Sequence, residues 1–191
     1  MWIEEIIAWS LNFNFYKMDE IRIRRITLAD VSALSTLAKK TFYDAFTGTC
    51  TPVDMNYFLQ NYYNEIELAK EVKNEKYQYF FATLNDEIIG YLLFAVNNEE
   101  FASLNKKALE LKRFYVLQSH HGKGVAQKMM QHYLAFAIAE KYELAFLGVW
   151  EYNYKAQNFY SKYGFTKTNH THNFPIGDTP QMDVYMVKEL E

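Results

Sequence analysis

Hydrophobic and polar residues repeat along the chain with two different periods, and these periods predict strands and helices. In IRIRRI, residues 21–26, apolar and basic positions alternate, which is typical of a strand with one solvated face. From Val125 to Glu140 apolar residues recur every three or four positions, which is typical of an amphipathic helix. Both periods occur in turn, so the chain is expected to combine strands with helices.

Helix-start signals predict further helices in the first half of the chain. Thr27–Asp30 forms a T-x-x-D capping box ahead of an apolar stripe that Gly48 ends. Thr51–Asp54 offers a cap, a proline at the first helical position and an acidic residue in the first turn. Another helix is expected over Glu65–Lys73.

Most of the rest of the chain is predicted to form strands. Two strands, Tyr77–Leu84 and Glu87–Val96, flank a hairpin turn, and Gly90 in the second indicates a bulge or a close backbone approach. The continuous apolar run Leu144–Trp150 predicts a strand buried on both faces. Shorter segments complete the series: a strand at Leu111–Leu117, a helix at Asn153–Tyr163, and strands at Phe165–Thr171 and Val184–Val187. The order β-α-α-β-β-β-α-β-α-β-β predicts an α/β (α+β) fold, a mixed sheet with helices on both faces.

Composition narrows the class of protein. Of the 191 residues, 50% are hydrophobic and 18% are aromatic, which is enough apolar material for one folded domain. We expect that domain at residues 21–191, after an extension at residues 1–20. A net charge of −3 argues against a nucleic-acid partner held by bulk electrostatics. The single cysteine, Cys50, excludes an intrachain disulfide framework and suits a reduced, cytoplasmic setting.

The sequence contains no stretch that predicts a membrane span. No run reaches the roughly 18 apolar residues that a spanning helix needs, and residues 1–20 lack the basic region of a signal peptide. Their apolar residues fit either a short amphipathic helix or a plain extension outside the fold. We favour the plain extension.

Residues 110–126, ELKRFYVLQSHHGKGVA, pass from a strand into a helix through a glycine-containing turn. Gly122 and Gly124 lack a Cβ, and the first amides of a helix have no intrahelical partner, so a phosphate can approach the backbone closely. Val125 stands where a Walker motif needs lysine, and Gln127 stands where a dinucleotide fingerprint needs its third glycine. The stretch therefore predicts an anion cradle that is neither of these two kinds.

The cradle resembles the acyl-coenzyme A loop of the GNAT N-acetyltransferases, whose pattern is Gln or Arg, two residues, Gly, one residue, then Gly or Ala. This chain has HGKGVA at residues 121–126, with His121 at the first position. A second motif, N-x-x-A-x-x-F-Y-x-x-x-G-F, matches residues 153–165. The resemblance covers about Ile21 to Leu190. It implies a GNAT-like, mostly antiparallel mixed sheet of about seven strands with splayed central strands, and acetyl transfer from acetyl-coenzyme A to an amine by direct attack in a ternary complex.

The resemblance also implies roles for individual residues. Tyr160 matches the tyrosine that protonates the leaving thiolate, and the amide of Val116 is the implied oxyanion donor. Glu110 stands where several members carry a carboxylate, and either Glu110 or a water relay is the implied base. Coenzyme contacts are implied for the strand end, the loop and the second helix: Phe114, Tyr115, Val116, His121, Gly122, Lys123, Gly124, Val125, Ala126, Asn153, Lys155 and Tyr160.

The histidines carry two further expectations. Since His121 replaces Gln or Arg, coenzyme affinity should weaken as the pH rises above about 6.5, where histidine loses its charge. His120, His121, His170 and His172 lack the spacing and the additional ligands of a metal site, so we predict no metal.

The C-terminal segment resembles the branch of bacterial spermidine and spermine N-acetyltransferases. It reads H-x-F-x-x-G-D-x-x-Q-x-D-x-x-M from His172 to Met186. A polyamine acceptor needs carboxylates and aromatic faces for its ammonium groups. The carboxylates available are Asp44, Asp54, Glu110, Asp178 and Asp183, and the aromatic residues expected at the acceptor wall are Tyr43, Phe46, Tyr57, Phe58, Tyr62 and Tyr63, most of which also fit a core role.

Other functions stay open from the sequence. We expect a small-molecule amine as the acceptor, with coenzyme A as the other partner, and leave homodimer formation open. The alternatives are a protein or peptide N-terminal acetyltransferase, whose groove would hold an extended chain, and a non-catalytic acyl-coenzyme A-binding module.

Overall fold

A computed structural model describes residues 20–97 and 99–190 of the chain. Apart from Glu20, the predicted extension at residues 1–20 lies outside the described residues. Seven strands are formed: β1 (Ile21–Arg25), β2 (Tyr77–Leu84), β3 (Glu87–Val96), β4 (Ala108–Val116), β5 (Leu144–Trp150), β6 (Thr166–Asn173) and β7 (Met182–Glu189). The α-helices are α1 (Val31–Phe46), α2 (Pro52–Tyr62), α3 (Glu65–Lys73), α4 (Val125–Ala139) and α5 (Tyr154–Lys162).

The strands form one sheet in the order β1-β2-β3-β4-β5-β7-β6. Each neighbouring pair is antiparallel except β4 and β5, which run parallel. This confirms the predicted fold class, a mixed and mostly antiparallel sheet of seven strands.

The three helices predicted one by one between β1 and β2 are all formed, so the predicted order, which counted two there, was one helix short. The strand predicted at Leu111–Leu117 begins earlier, at Ala108, and ends at Val116. The strands β6 and β7 extend beyond their predicted segments, because β6 (TKTNHTHN) is an exposed edge strand whose polar residues give no apolar alternation to read.

Each face of the sheet has its own hydrophobic core. On one face α4 and α5 pack against the central strands through residues such as Met129, Tyr133 and Tyr160. On the other face α1, α2 and α3 cover β2 and β3, with Leu34, Phe42 and other apolar residues buried between them. Helices therefore lie on both faces, as predicted. Within the described residues, no helix is both long and apolar enough to cross a membrane.

The central strands splay apart, which confirms that part of the prediction. The parallel strands β4 and β5 pair only from Ala108 opposite Leu144 to Glu110 opposite Phe146. Beyond that point β4 stays paired with β3 but not with β5, while a register shift of β3 against β4 between Leu93 and Phe94 bends the sheet. The result is a gap at the middle of the sheet that connects its two faces.

Gly90 explains how β3 accommodates this region. A Cβ built on Gly90 would lie only 2.7 Å from the carbonyl oxygen of Tyr115, so no other residue fits without backbone movement. A register shift between Ala82 and Thr83 lies directly beside Gly90. Both alternatives predicted for this glycine, a bulge and a close backbone approach, are found.

Candidate active site

The gap between β4 and β5 opens into a cavity of about 630 Å³. Its walls come from β4, β5, α1, α2, α5, β6 and β7, so residues far apart in sequence meet there. The volume is in the usual range for small-molecule sites.

The predicted anion cradle lies at the N-terminus of α4. Gly122 and Gly124 both have positive φ, +76° and +85°, and a Cβ on Gly122 would meet no atom within 4 Å. The hydrogen bond from the Lys128 amide to the Gly124 carbonyl, 3.0 Å, opens the helix. By helix geometry, the amides of the first turn therefore point outward beside an unobstructed glycine. The amide of His121 is already used, because it donates to the Gln118 carbonyl at 3.1 Å.

The free edge of β4 leads from this cradle to the gap. The Leu117 amide donates to the Ile89 carbonyl of β3 at 2.9 Å. Successive amides of a strand point to opposite edges, so those of Phe114 and Val116 face away from β3 and toward the gap. The His121 side chain lies at the same edge and donates from Nε2 to the Val116 carbonyl at 2.9 Å. The structure thus leaves only Nδ1 of His121 to face a ligand.

The predicted acid, Tyr160, lies on α5 in the wall of the cavity. The side chain of Asn153 caps α5 by accepting from the Ala156 amide at 3.1 Å, and the ring of Tyr160 lies 6.2 Å from that of Phe114. Burial and then the nearby Asp183 carboxylate raise the pKa of Tyr160 well above its usual value. The phenol is therefore protonated at neutral pH, as a proton donor must be.

Three coenzyme contacts were predicted at α5 and its cap, and two of them, Asn153 and Tyr160, line the cavity. The third, Lys155, is exposed in the first turn of the helix and is not among the cavity residues. Phe114, Tyr115, Val116 and His121 also line the cavity, and Gly122–Ala126 continue outward from it into the cradle.

The predicted base, Glu110, lies where β4 and β5 part. It is half-buried in the cavity wall, and its Oε2 accepts a hydrogen bond from Asn97 Nδ2 at 3.0 Å. The Nζ atom of Lys112 is 3.9 Å from the same oxygen. The carboxylate is thus held from one side and open to the cavity on another.

Asp183 is a second carboxyl group in the cavity, and the sequence suggested it only as one of five acceptor carboxylates. It lies on β7 opposite Trp150, and a Cβ on Gly148 would be 3.2 Å from its Oδ2 atom. Burial raises the pKa of Asp183 to about 6, although the neighbouring His172 acts in the opposite direction. The missed signal is the glycine at position 148 in an otherwise apolar strand, which leaves room above it for this side chain.

Aromatic side chains form the opposite wall. Four of the six predicted residues, Phe46, Phe58, Tyr62 and Tyr63, line the cavity, whereas Tyr43 and Tyr57 are exposed outside it. Trp150 and Phe174, which the sequence did not single out as lining, join them and lie 6.0 Å and 6.4 Å from the ring of Phe46.

The five acceptor carboxylates proposed from the sequence divide into two groups. Asp44, Glu110 and Asp183 line the cavity, but Asp54 and Asp178 do not. The Asp54 carboxylate accepts from the amide of Asp178 at 3.1 Å and from the hydroxyl of Thr179 at 2.8 Å. Asp54 therefore ties the loop between β6 and β7 to the start of α2. A second tie, from Gln181 Nε2 to the Thr49 carbonyl at 2.9 Å, supports the same contact.

The positive charge at the cavity floor is neutralised within the protein. Arg113 donates to both carboxylate oxygens of Glu71, at 2.6 Å and 3.1 Å, and its guanidinium lies 4.9 Å from the centre of the Tyr63 ring. This partly buried pair shapes the floor, so the cavity presents carboxylates and aromatic faces without a free cation at that point.

Comparison with known proteins agrees with this geometry. Residues 38–165 match the family described as "Acetyltransferase (GNAT) family". The chain belongs to the GNAT family of acetyltransferases. It is therefore an acetyl-CoA-dependent N-acetyltransferase, which confirms the resemblance found in its two motifs.

Individual relatives support the same assignment. An uncharacterized N-acetyltransferase from Lactobacillus delbrueckii subsp. lactis is 28% identical over 173 residues, covering 91% of this chain and 99% of that protein. The PaiA N-acetyltransferase from Thermoplasma acidophilum, solved in complex with coenzyme A, superposes with a TM-score of 0.72 at 18% identity, covering 89% of this chain and 99% of that one. The spermidine/spermine N-acetyltransferase SpeG from Vibrio cholerae, solved with manganese ions, superposes with a TM-score of 0.64 at 17% identity, covering 90% and 94%. These two structural likenesses show the fold.

The described part of this GNAT protein contains no cluster of three or more His, Cys, Asp or Glu side chains placed to hold a metal ion. His172 lies opposite Asp183 across β6 and β7, which makes a pair and not a ligand set.

Proposed function

We propose that this GNAT protein transfers the acetyl group of acetyl-CoA to a primary amine of a small cationic molecule, with a polyamine such as spermidine as the leading candidate. The observation that carries the proposal is a single cavity that joins an anion cradle to a chamber of carboxylates and aromatic rings. One end suits a diphosphate and the other suits ammonium groups.

The cradle and the free edge of β4 fit the coenzyme. The first-turn amides of α4 and the glycines at 122 and 124 would hold the diphosphate. The outward-facing amide of Phe114 offers a hydrogen bond to an extended pantetheine arm, as in strand addition. The relative from Thermoplasma acidophilum was solved with coenzyme A, which supports this use of the shared fold.

Tyr160 is proposed as the acid because a thiolate leaving group needs a proton and this phenol retains its own at neutral pH. The Val116 amide remains the proposed oxyanion donor, since it faces the gap. Glu110, or a water that it holds, remains the base predicted from the sequence. Coenzyme contacts by Lys123 and Lys155 also remain predictions.

The chamber favours an acceptor with more than one ammonium group. Glu110 and Asp183 stand on different elements, β4 and β7, so they can neutralise charges at separate points along a flexible chain, whereas Asp44 on α1 already pairs with Lys40. Aromatic faces between them suit the intervening methylenes and cations. SpeG, named for spermidine and spermine, has the same fold, which is compatible with this choice.

A panel of amines tests the proposal. The full chain is incubated with acetyl-CoA and, separately, spermidine, spermine, free amino acids, aminoglycosides and peptides with free N-termini. Thiol release and product mass are then measured. We expect the highest kcat/KM with spermidine or spermine. Turnover of peptides alone would assign the protein to the N-terminal acetyltransferases, and failure of every amine would overturn the proposal.

Calorimetry with acetyl-CoA distinguishes the remaining alternative. A non-catalytic binding module would bind the coenzyme but release no thiol with any amine. The cytoplasmic location is separate from this test and remains a prediction, and homodimer formation, which the sequence left open, is separate from it too.

A further inference from the structure

We propose that Asp183 removes the proton from the ammonium group of the acceptor, so that the neutral amine can attack the acetyl carbonyl. This inference rests on the proposed function and deepens it, because it assigns the proton-accepting step to a residue that the sequence suggested only as an acceptor-binding carboxylate. Glu110 would then bind the acceptor and not deprotonate it.

The position of Asp183 carries the proposal. Its carboxyl group extends over Gly148 of β5, at the gap through which the two faces of the sheet communicate. It is close enough to Tyr160 for its charge to affect the ionisation of that phenol. An acid and a base for one acetyl transfer must reach the same reacting centre, one from the thiol side and one from the amine side. Asp183 on β7 and Tyr160 on α5 line the same cavity from different elements, so both are placed to serve one reacting centre.

The surroundings of Asp183 suit a proton acceptor. His172 faces it from β6, Tyr160 from α5 and Tyr115 from β4, while Tyr185 lies on its own strand. None of these is a permanent cation that would fix the carboxylate in its charged form, and burial raises its pKa to about 6. A base with a pKa just below the working pH is mostly ionised yet still able to hold a proton.

Glu110 has a different environment. Its Oε2 already accepts a hydrogen bond from Asn97 and lies near the ammonium of Lys112. It is opposite Phe146, two residues before Gly148 on β5, and therefore farther back in the gap. A carboxylate fixed in this way is suited to anchoring a second ammonium group of the acceptor.

The proposed steps balance in atoms and charge. An N–H bond of the ammonium breaks and an O–H bond forms on Asp183. The neutral amine attacks the acetyl carbon, the C–S bond breaks, and the thiolate takes the proton of Tyr160. The second proton on the acylated nitrogen restores Tyr160, and Asp183 releases its proton to solvent. The products are the amide, the thiol and one proton, with no oxidation or reduction.

The pH dependence of kcat/KM tests the proposal, with spermidine as the acceptor or, if spermidine is inactive, the amine that the panel identifies. We compare wild type, Asp183→Asn and Glu110→Gln. For Asp183→Asn we expect a loss of about 100-fold near pH 7 that shrinks as the pH rises, because free amine then forms in solution. KM for acetyl-CoA should stay within about twofold of wild type. Glu110→Gln should raise KM for the amine and keep the wild-type pH profile.

Several results would overturn the inference. A pH-independent loss in Asp183→Asn would indicate a structural role. Transfer of the altered pH profile to Glu110→Gln would make Glu110 the base. If no amine is acetylated by wild type, the proposed function itself fails and not this step alone.

A measurement on the wild-type protein does not depend on the variant's folding. The carboxyl carbon of Asp183, observed by 13C NMR with aspartate labelling, should titrate with a midpoint near pH 6. Spermidine should lower that midpoint, because an ammonium beside the carboxylate favours its charged form. A midpoint below pH 4.5, or no response to the amine, would exclude the role.

Discussion

The two ends of the cavity differ in how they are built. The coenzyme end is local: one turn, residues 118–124, and the first turn of α4 supply the cradle. The acceptor end is assembled from α1, α2, β4, β5, β6 and β7, which meet only in the folded protein. Local chemistry can be recognised from spacing, whereas assembled chemistry depends on which strands become neighbours. We therefore expect mutations to separate the two ends functionally.

The largest effect should come from the group placed where the two ends meet. Tyr160→Phe removes the hydroxyl and keeps the ring packing against Phe114 and Phe165. We expect kcat to fall by about 100-fold or more, with little change in acetyl-CoA affinity, because proton donation contributes only in the transition state. Steady-state kinetics and calorimetry measure the two quantities.

Tyr163→Phe is the matched control for that substitution. Tyr163 lies just after α5, packs on Phe159 and does not line the cavity. Wild-type kcat is expected for it. An equal loss in both variants would mean that helix packing, and not the Tyr160 hydroxyl, is responsible.

The contrast between the local coenzyme end and the assembled acceptor end also explains which features could be predicted from the sequence. HGKGVA and the Asn153–Phe165 motif located the cradle and Tyr160 because each is contiguous in sequence. The helix bounds Glu65–Lys73 and the strand bounds Leu144–Trp150 were also predicted correctly, since caps and apolar runs mark them. Asp183 could not be assigned, because its role depends on the pairing of β7 with β5 and on Gly148, which leaves room for its carboxyl group.

Asp54 and Asp178 show the same limit of sequence-based prediction, because both were predicted as acceptor carboxylates and neither lines the cavity. As two carboxylates near an acceptor motif they qualified as ligands for ammonium groups. The fold instead turns the Asp54 carboxylate toward the amide of Asp178. Whether a side chain binds substrate or its own backbone is decided by chain direction at the β6–β7 loop, which residue type and spacing do not encode.

A smaller effect is expected from the cradle. Gly122→Ala places a methyl group on a residue with φ of +76°, where the space beside it is open to a bound diphosphate. We expect KM for acetyl-CoA to rise roughly tenfold, because L-residues disfavour this conformation and the methyl obstructs close approach. KM for the amine should change little.

Gly48→Ala is the matched control for Gly122→Ala, because it introduces a similar backbone strain outside the cavity. Gly48 has φ of +81° and also has no atom within 4 Å of a built Cβ. Its variant should lose stability to a similar extent and bind acetyl-CoA normally. If both variants raise KM for acetyl-CoA equally, the cradle assignment is wrong.

Breaking the hydrogen bonds of Asp54 to the β6–β7 loop should have a still smaller effect. It should alter KM for the amine and not KM for acetyl-CoA. Asp54→Ala removes the acceptor of the hydrogen bonds from Asp178 and Thr179, so the β6–β7 loop loses its contact with α2. We expect KM for the amine to rise roughly fivefold at unchanged KM for acetyl-CoA, since 1 kcal/mol corresponds to about that factor. Asp30→Ala, which removes a helix-start carboxylate away from the cavity, is the control and should leave both KM values unchanged.

The raised pKa of Asp183, at the acceptor end, makes the stability of the protein depend on pH. An aspartate ordinarily titrates near 3.9, whereas burial raises the pKa of Asp183 to about 6 in the folded protein. Between these values the folded state binds more protons than the unfolded chain, so the free energy of unfolding falls as the pH rises from about 4 to 6. The penalty at pH 7 is on the order of 3 kcal/mol. Asp183→Asn removes it, so the variant should resist denaturant better than wild type at pH 7 and match it near pH 4.

Asp30 affects the pH dependence of stability in the opposite direction to Asp183, so the two variants can be compared in one stability measurement. Its hydrogen bonds to Arg24 lower its pKa to about 2, so its contribution is present above about pH 4 and is lost as the pH falls toward 2. Because this pair is partly exposed, Asp30→Asn should destabilise the protein only slightly at pH 7. If urea titrations at pH 4 and 7 show Asp183→Asn to be destabilised like Asp30→Asn, then Asp183 makes favourable contacts as a charged group. In that case its carboxylate is already satisfied by the fold and is not held ready for an ammonium at the acceptor end.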